Sequence, residues 1–231
     1  MITVYYAKVS PSLEEDAFFT YLGKVEKERR KRISGMKDEK SRVHSLMAGS
    51  LLHGALCARL GIAAEKNGPF KVSYGQEGKP YLTEYPDIHY SLSHSGEYVS
   101  CALGDSPVGV DIQEVTGYRE GIARRFFTDE DNHRLDLCSS DGKKELFFRM
   151  WSIKESYVKL TGKGLSGGLS GFEIDWDAGR VLGQGGSAAY FEEWQKIEGY
   201  AFCVCAGEPG QGVIWRESGD YLRYATKNTT F

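Results

Sequence analysis

Residues 2–9 are rich in β-branched and aromatic side chains and predict a strand. Ser10-Pro11-Ser12 breaks it and offers an N-cap, from which a charged helix is expected to run to about Arg32. A second helix is predicted over 38–60: Val43, Met47, Leu51, Ala55 and Ala58 recur at helical spacing, and Gly61 ends it. Strands are predicted over 70–74, 88–93 and 98–103, the last two joined by His94-Ser95-Gly96-Glu97, a joint of hairpin length. Pro107 precedes another strand, 108–112. Helices follow over 120–125, behind a Thr128 cap, and over 143–160, the last closed by Gly162-Lys163-Gly164. The remainder is strand-like at 172–176, 180–182, 200–205 and 213–216.

The chain echoes itself. Tyr98-Val-Ser-Cys101 is answered by Tyr200-Ala-Phe-Cys203, both Tyr and Cys recurring 102 positions on (200 − 98 and 203 − 101), and helices mix with short strands on either side. A duplicated α/β unit fits, against the alternative of two unrelated apolar strands. The glycine-rich stretches at 167–168 and 183–187 are too short to link independent domains.

At 231 residues, 41% hydrophobic and 26% charged, the chain has enough apolar material for a real core. Its 29 basic and 32 acidic residues leave a net charge of −3, which excludes whole-surface attraction to nucleic acid. Five cysteines without a C-x-x-C pair speak against a disulfide framework or zinc ribbon and for a reducing cytoplasm. No stretch approaches the ~20 apolar residues needed to cross a bilayer, so no membrane partner is expected.

Within the strand 108–112, Val110 and Ile112 are expected to face a core, leaving Asp111 and Gln113 on the other face. On the long helix, Phe147, Met150, Ile153, Tyr157 and Leu160 form the core stripe, while Ser152, Glu155 and Lys159 fall on another. Asp111 and Glu155 together suit a hard cation such as magnesium, which is held by one or two carboxylates plus phosphate oxygens and water. The plainer alternatives are that Asp111 caps the next segment and that Glu155 and Lys159 support each other as a surface pair. Ser91-Leu-Ser93-His94-Ser95 at a sharp turn offers either a phosphate cradle or an ordinary polar hairpin. Lys79, His94, Lys154, Lys159 and the Arg29/Arg32 region are the candidate phosphate holders, suited to an extended ligand bearing several phosphates.

Taken in order, Gly78-Lys-Pro80, Ser91-Leu-Ser-His-Ser95, Gly109-Val-Asp-Ile112, Arg125-Phe-Phe-Thr128, Trp151-Ser-Ile-Lys-Glu-Ser-Tyr157 and Gly162-Lys-Gly-Leu165 resemble the 4′-phosphopantetheinyl transferases of the broad-specificity, Sfp type. The resemblance implies an α/β fold of two similar subdomains related by a pseudo-two-fold, with the active site between them. The division is expected near 1–106 (coenzyme A phosphate and adenine contacts) and 107–231 (magnesium and catalytic residues). It further implies transfer of the phosphopantetheine arm of coenzyme A to a serine of an acyl or peptidyl carrier protein, releasing adenosine 3′,5′-bisphosphate. Asp111 and Glu155 match the magnesium carboxylates. Asp111, Glu155 and Lys159 are the implied catalytic set, and Lys79, Ser93, His94, Lys154 and Lys159 match coenzyme-holding positions; Arg29 and Arg32 join them as candidates. Where many members carry Glu two positions after the aspartate, this chain has Gln113, so the third metal ligand is Gln113 through its amide oxygen, Glu114, or water. The acidic position after Phe127 falls on Glu130 or Asp131, with spacing favouring Asp131. Two half-units in one chain imply a self-sufficient monomer, and the surface around Arg124 and Arg125 is the expected side facing the carrier.

Overall fold

The computed structural model describes residues 1–64, 68–162, 168–183 and 187–218; Lys163, Gly164, Leu165 and Gly167 of the predicted loops, and 184–186, lie outside them. The first half of the chain runs β1 (Ile2–Lys8), α1 (Glu15–Leu22), α2 (Lys27–Gly35), α3 (Glu39–Leu60), β2 (Val72–Tyr74), β3 (Pro80–Leu82), β4 (His89–Ser95) and β5 (Tyr98–Gly104). The second runs β6 (Val108–Glu114), α4 (Glu120–Phe126), α5 (Asp129–Asp136), α6 (Ser140–Thr161), β7 (Glu173–Asp175), β8 (Arg180–Leu182), β9 (Ala188–Glu193) and β10 (Tyr200–Ala206), followed by β11 (Val213–Glu217). The order repeats: a strand, three helices of which the third has 22 residues, a short hairpin, then two strands. In each half the first strand pairs antiparallel with the last, β1 with β5 and β6 with β10. This is a mixed α/β fold, and Tyr98 and Tyr200 open equivalent strands of it.

Two sheets result, β11-β1-β5-β4 and β6-β10-β9-β8-β7, beside the β2–β3 hairpin. β11 crosses back to lie parallel to β1, so the last of the described strands completes the first sheet. Period-two alternation explains three apolar clusters. Val99, Cys101 and Leu103 of β5 pack under α3, while Cys203 and Cys205 of β10 pack under α6. The opposite faces meet between the sheets, where Ile2, Val4, Ala102, Val108, Val110, Ile112, Phe202 and Val204 form the central layer. Val110 and Ile112 therefore face the core, as their alternation with Asp111 predicts.

The single helix predicted from the Ser10-Pro11-Ser12 break to about Arg32 is two helices. Gly23 ends the first, and Glu26 starts the second by accepting a hydrogen bond from Arg29 N at 2.9 Å, a local cap that competes with continuation. α6 begins three residues earlier than predicted because Ser139 caps it. β3 and β9 were not predicted; β3 has three residues, and β9 carries the polar end Glu192-Glu193. The α3 stripe is wider than predicted, with 43–57 buried throughout and Ala58 exposed. Among the described residues no helix is long and apolar enough to cross a membrane.

One glycine sets the spacing on which the site depends. A Cβ on Gly109 would overlap the carbonyl oxygen of Ser156 and stand 2.5 Å from Leu160 N, backbone atoms that cannot swing aside. β6 and α6 approach this closely only without a side chain at 109. Gly109→Ala is expected to cost about 3 kcal/mol, lowering the melting temperature by roughly 6–12 °C; an unchanged melting curve would contradict the contact.

Candidate active site

The site lies where β4, β6 and α6 converge. β6 presents Asp111 away from the central layer, and α6 stands over that face, tied down by Ser152 Oγ donating to the Asp111 carbonyl at 3.0 Å. The Asp111 carboxylate is 1% exposed and accepts three hydrogen bonds, which leaves a lone pair on Oδ2. Oδ1 accepts from Ser93 Oγ at 2.7 Å and Lys159 Nζ at 2.7 Å; Oδ2 accepts from Gln113 Nε2 at 2.9 Å. These are charge-assisted bonds in a shielded setting, worth about 1.5–3 kcal/mol each where the donor or acceptor is ionised. Neither plainer alternative for these residues describes this: Asp111 caps nothing, and Lys159 pairs with Asp111 rather than forming a surface pair with Glu155.

Glu155, one turn before Lys159, is half-buried beside this cluster. Burial holds its carboxyl above the usual carboxylate range, the negative charge of Asp111 adds to the rise, and Lys159 opposes it. Two carboxylates that repel each other in a partly enclosed place are what a hard divalent cation would relieve. Among the described residues no group of three His, Cys, Asp or Glu could hold a metal; the position two after Asp111 is Gln113, an amide. Magnesium does not require three acids when phosphate oxygens supply further ligands, so Asp111 and Glu155 fit it.

A groove of about 280 Å³ opens alongside, lined by Arg29, Gly78, Lys79, Tyr90, Ser91, Lys159 and Gly162, among others. Lys79 comes from the β2–β3 turn and donates to the Leu160 carbonyl at 2.7 Å, the C-terminal end of α6. Burial pushes its ammonium down to about 8. Arg29 reaches the groove because Gly49 of α3 lets α2 pack closely, an added Cβ there standing 2.9 Å from Arg29 Cδ. Burial, then the neighbouring Arg32, lowers its pKa. His94 has an exposed edge and a face stacked on His44, with ring centroids 5.2 Å apart and planes 28° apart. Enclosure of that face, then His44, Lys159 and Arg29, holds the imidazole below its ordinary value.

Three expected coenzyme ligands are placed otherwise. Lys154 is 0% exposed, and its ammonium donates to Asp131 Oδ2 at 2.7 Å and to the Leu169 and Phe172 carbonyls at 2.9 Å each. It projects from a different face of α6 than Glu155 and has no proton left for a phosphate. Arg32 turns outward to the Tyr74 hydroxyl at 3.1 Å and Glu26 at 3.8 Å, away from the groove lining. Ser93 spends its only proton on Asp111. Arg124, expected on the carrier side, is engaged by Asp136 at 2.8 Å and Glu120 at 3.5 Å, while Arg125 lies over the Phe126 ring at 5.2 Å.

Sequence reading missed His44 and Tyr200. Nothing marks His44 among the apolar positions of α3. Tyr200 was visible as the echo of Tyr98; its hydroxyl accepts from Glu97 N at 2.9 Å, holding the turn after His94.

Comparison with known proteins supplies the class first: the family model of the 4′-phosphopantetheinyl transferase superfamily matches residues 107–205, which contain Asp111, Glu155 and Lys159. A 4′-phosphopantetheinyl transferase of Bacillus subtilis is 31% identical over 212 residues, covering 89% of this chain and 91% of its own. The 4′-phosphopantetheinyl transferase Sfp of Bacillus subtilis (strain 168) is 30% identical, over 85% of this chain and 87% of its own. The 4′-phosphopantetheinyl transferase gsp of Aneurinibacillus migulanus is 32% identical over 76% and 72%. The chain belongs to the 4′-phosphopantetheinyl transferase family, among its Sfp-like members.

Proposed function

We propose that this protein transfers the 4′-phosphopantetheine arm of coenzyme A to a serine of an apo carrier protein, acyl or peptidyl, and releases adenosine 3′,5′-bisphosphate. One observation carries the reading: Asp111, Glu155 and Lys159 converge beside a groove that Arg29 and Lys79 make cationic. The carrier serine Oγ attacks the phosphorus that bears the pantetheine; the bond from that phosphorus to the bridging oxygen breaks, and the nucleotide leaves with the electron pair. Magnesium, held by Asp111 and Glu155 with Gln113, Glu114 or water completing its shell, would supply charge neutralisation at the pyrophosphate. Glu155 takes the serine proton, directly or through a water; a cation beside it would keep it ionised, so it acts as a base of modest strength. Lys159 steadies charge on the oxygens in flight. Arg29, Lys79 and His94 hold the phosphates of the coenzyme in the groove.

In this reading residues 1–106 supply most of the coenzyme contacts and 107–231 the acids, with β11 returning to the first sheet. A single chain suffices, acting in the cytoplasm without a nucleic-acid or membrane partner. Incubation with coenzyme A, magnesium and an apo carrier, followed by mass measurement, is expected to add one phosphopantetheine to the carrier. An unmodified carrier overturns the proposal.

The depressed pKa of Lys79 gives a second expectation. As pH rises through about 8 the free protein loses this positive charge, so coenzyme A affinity by calorimetry weakens between pH 7 and 9. Lys79→Met is expected to bind more weakly at pH 7 and to lose most of that pH dependence.

A further inference from the structure

Two cations of the groove stand on separate elements, Arg29 on α2 and Lys79 in the turn after β2. Their spacing depends on what joins α2 to the β2–β3 hairpin. Tyr74, the last residue of β2, joins them. Its hydroxyl accepts from Arg32 Nη2 at 3.1 Å and donates to Glu26 Oε1 at 3.3 Å. The Arg32 guanidinium also lies against its ring, 5.9 Å from the centroid. Glu26 Oε1 accepts from Arg29 N at 2.9 Å as well, so one carboxylate both caps α2 and takes the hydroxyl of the hairpin.

The path from this contact to Lys79 is short and stiff. Tyr74 pairs with Pro80 across the hairpin. Gly75 N donates to the Lys79 carbonyl at 3.0 Å and Gly78 N to the Gly75 carbonyl at 2.9 Å, closing the turn between them. Displacing the Tyr74 end of the hairpin therefore carries Lys79 with it. Glu26, Arg32 and Tyr74 are not among the residues that line the groove. Glu26 is an acceptor, as phosphate oxygens are, so a ligand in the groove does not claim its place.

We infer that Tyr74 is a positioning residue for coenzyme binding: held by Glu26 and Arg32, it clasps the β2–β3 hairpin to α2 and sets Lys79 at its distance from Arg29. The inference rests on the transfer reaction proposed above. It also gives Arg32 a task, since from outside the groove it steadies the wall that carries Lys79. A ligand bearing several phosphates binds best to cations already held at the right separation, because ordering them on arrival subtracts from affinity. Asp111, Glu155 and Lys159 stand on β6 and α6, which the clasp does not touch. Loosening it therefore weakens ground-state binding and spares turnover.

The test measures coenzyme A binding by calorimetry, carrier modification and thermal melting, with magnesium present. Wild type is compared with Tyr74→Phe, Ser73→Ala, Lys79→Met and Tyr74→Phe/Lys79→Met, each below its melting transition. A wild type that neither binds coenzyme A nor modifies the carrier overturns the proposed function, and the role of the clasp with it. Given both activities, Tyr74→Phe is expected to raise the Kd about tenfold while kcat at saturating coenzyme A stays within about twofold. Ser73→Ala loses only a bond inside the hairpin, to Thr83 Oγ1 at 3.0 Å, and its Kd is expected to stay near that of wild type. On the Lys79→Met background, Tyr74→Phe is expected to add less than about a further twofold, because the group it positions is gone. Three results overturn the inference: an unchanged Kd in Tyr74→Phe, an equal rise in Ser73→Ala, or an undiminished further loss on the Lys79→Met background, which makes Tyr74 act independently of the lysine.

Discussion

Glu155→Gln is expected to lower carrier modification at least about a thousandfold, roughly 4 kcal/mol of transition-state stabilisation, without loosening the fold. The substitution removes a proton acceptor and one of two carboxylates that fit a cation, and either deficit alone reaches two to four orders of magnitude in comparable chemistry. Its effect on stability has the opposite sign. Burial, then the charge of Asp111, raises the pKa of Glu155 in the folded protein. A carboxyl raised above its unfolded value binds its proton more tightly when folded, so its ionised form costs stability at neutral pH, and that cost fades as pH falls through the folded pKa. Glutamine has the shape without the charge. The variant should therefore melt at or above the wild-type temperature at pH 7, and the difference should shrink in acid. Retained transfer with saturating coenzyme A and magnesium would remove Glu155 from the reaction; a collapsed melting temperature would make the loss one of folding.

Lys154→Met is expected to do the reverse: to destabilise by about 3–5 kcal/mol, a fall of roughly 6–20 °C in melting temperature, while the KM for coenzyme A stays within twofold in the protein that remains folded. The Lys154 ammonium lies at 2.7 Å from Asp131 and between the Phe172 and Phe127 rings, 4.8 and 5.8 Å from their centroids. Methionine fills its volume but leaves the Asp131 carboxylate enclosed, with the Thr128 amide at 3.0 Å still donating to it. Neutralising that acid as well, in Lys154→Met/Asp131→Asn, should recover part of the loss, because the penalty is chiefly an unpaired buried charge. The same residues fasten the start of α5 and the 168–172 segment to α6, so the damage is to the platform that carries Glu155 and Lys159. A raised KM at an unchanged melting temperature would return Lys154 to the groove as a coenzyme ligand.

The two variants separate neighbours in sequence that lie on different faces of one helix. Lys154 and Glu155 are about 100° apart around the helix axis, and periodicity had already assigned Glu155 to the stripe of Ser152 and Lys159. Both the dispersed lysines and the motif point to Lys154 as a coenzyme ligand, and neither weighs its place on the helix. A lysine at a core position signals either a site or an internal ion pair, and its partner, Asp131, is 23 positions away (154 − 131).

The mixed α/β class, the duplicated plan and the placement of Asp111 opposite Val110 and Ile112 were legible in the chain, because they follow from local periodicity, caps and the Tyr–Cys echo. So were the core stripe of α6 and the Thr128 cap of α5, whose signals lie within a few residues of one another. The break between α1 and α2 was legible in principle, since Glu26 caps locally, but the run of charge obscured it. Tertiary structure alone decided which donors each polar group would meet. That Lys159 and Ser93 reach Asp111, that Arg32 turns outward and that β11 joins β1 all depend on distances between segments far apart in sequence. Side-chain periodicity fixes which way a residue points, whereas close packing of separate elements fixes what it meets, and a polar group under that packing takes the nearest partner able to satisfy it.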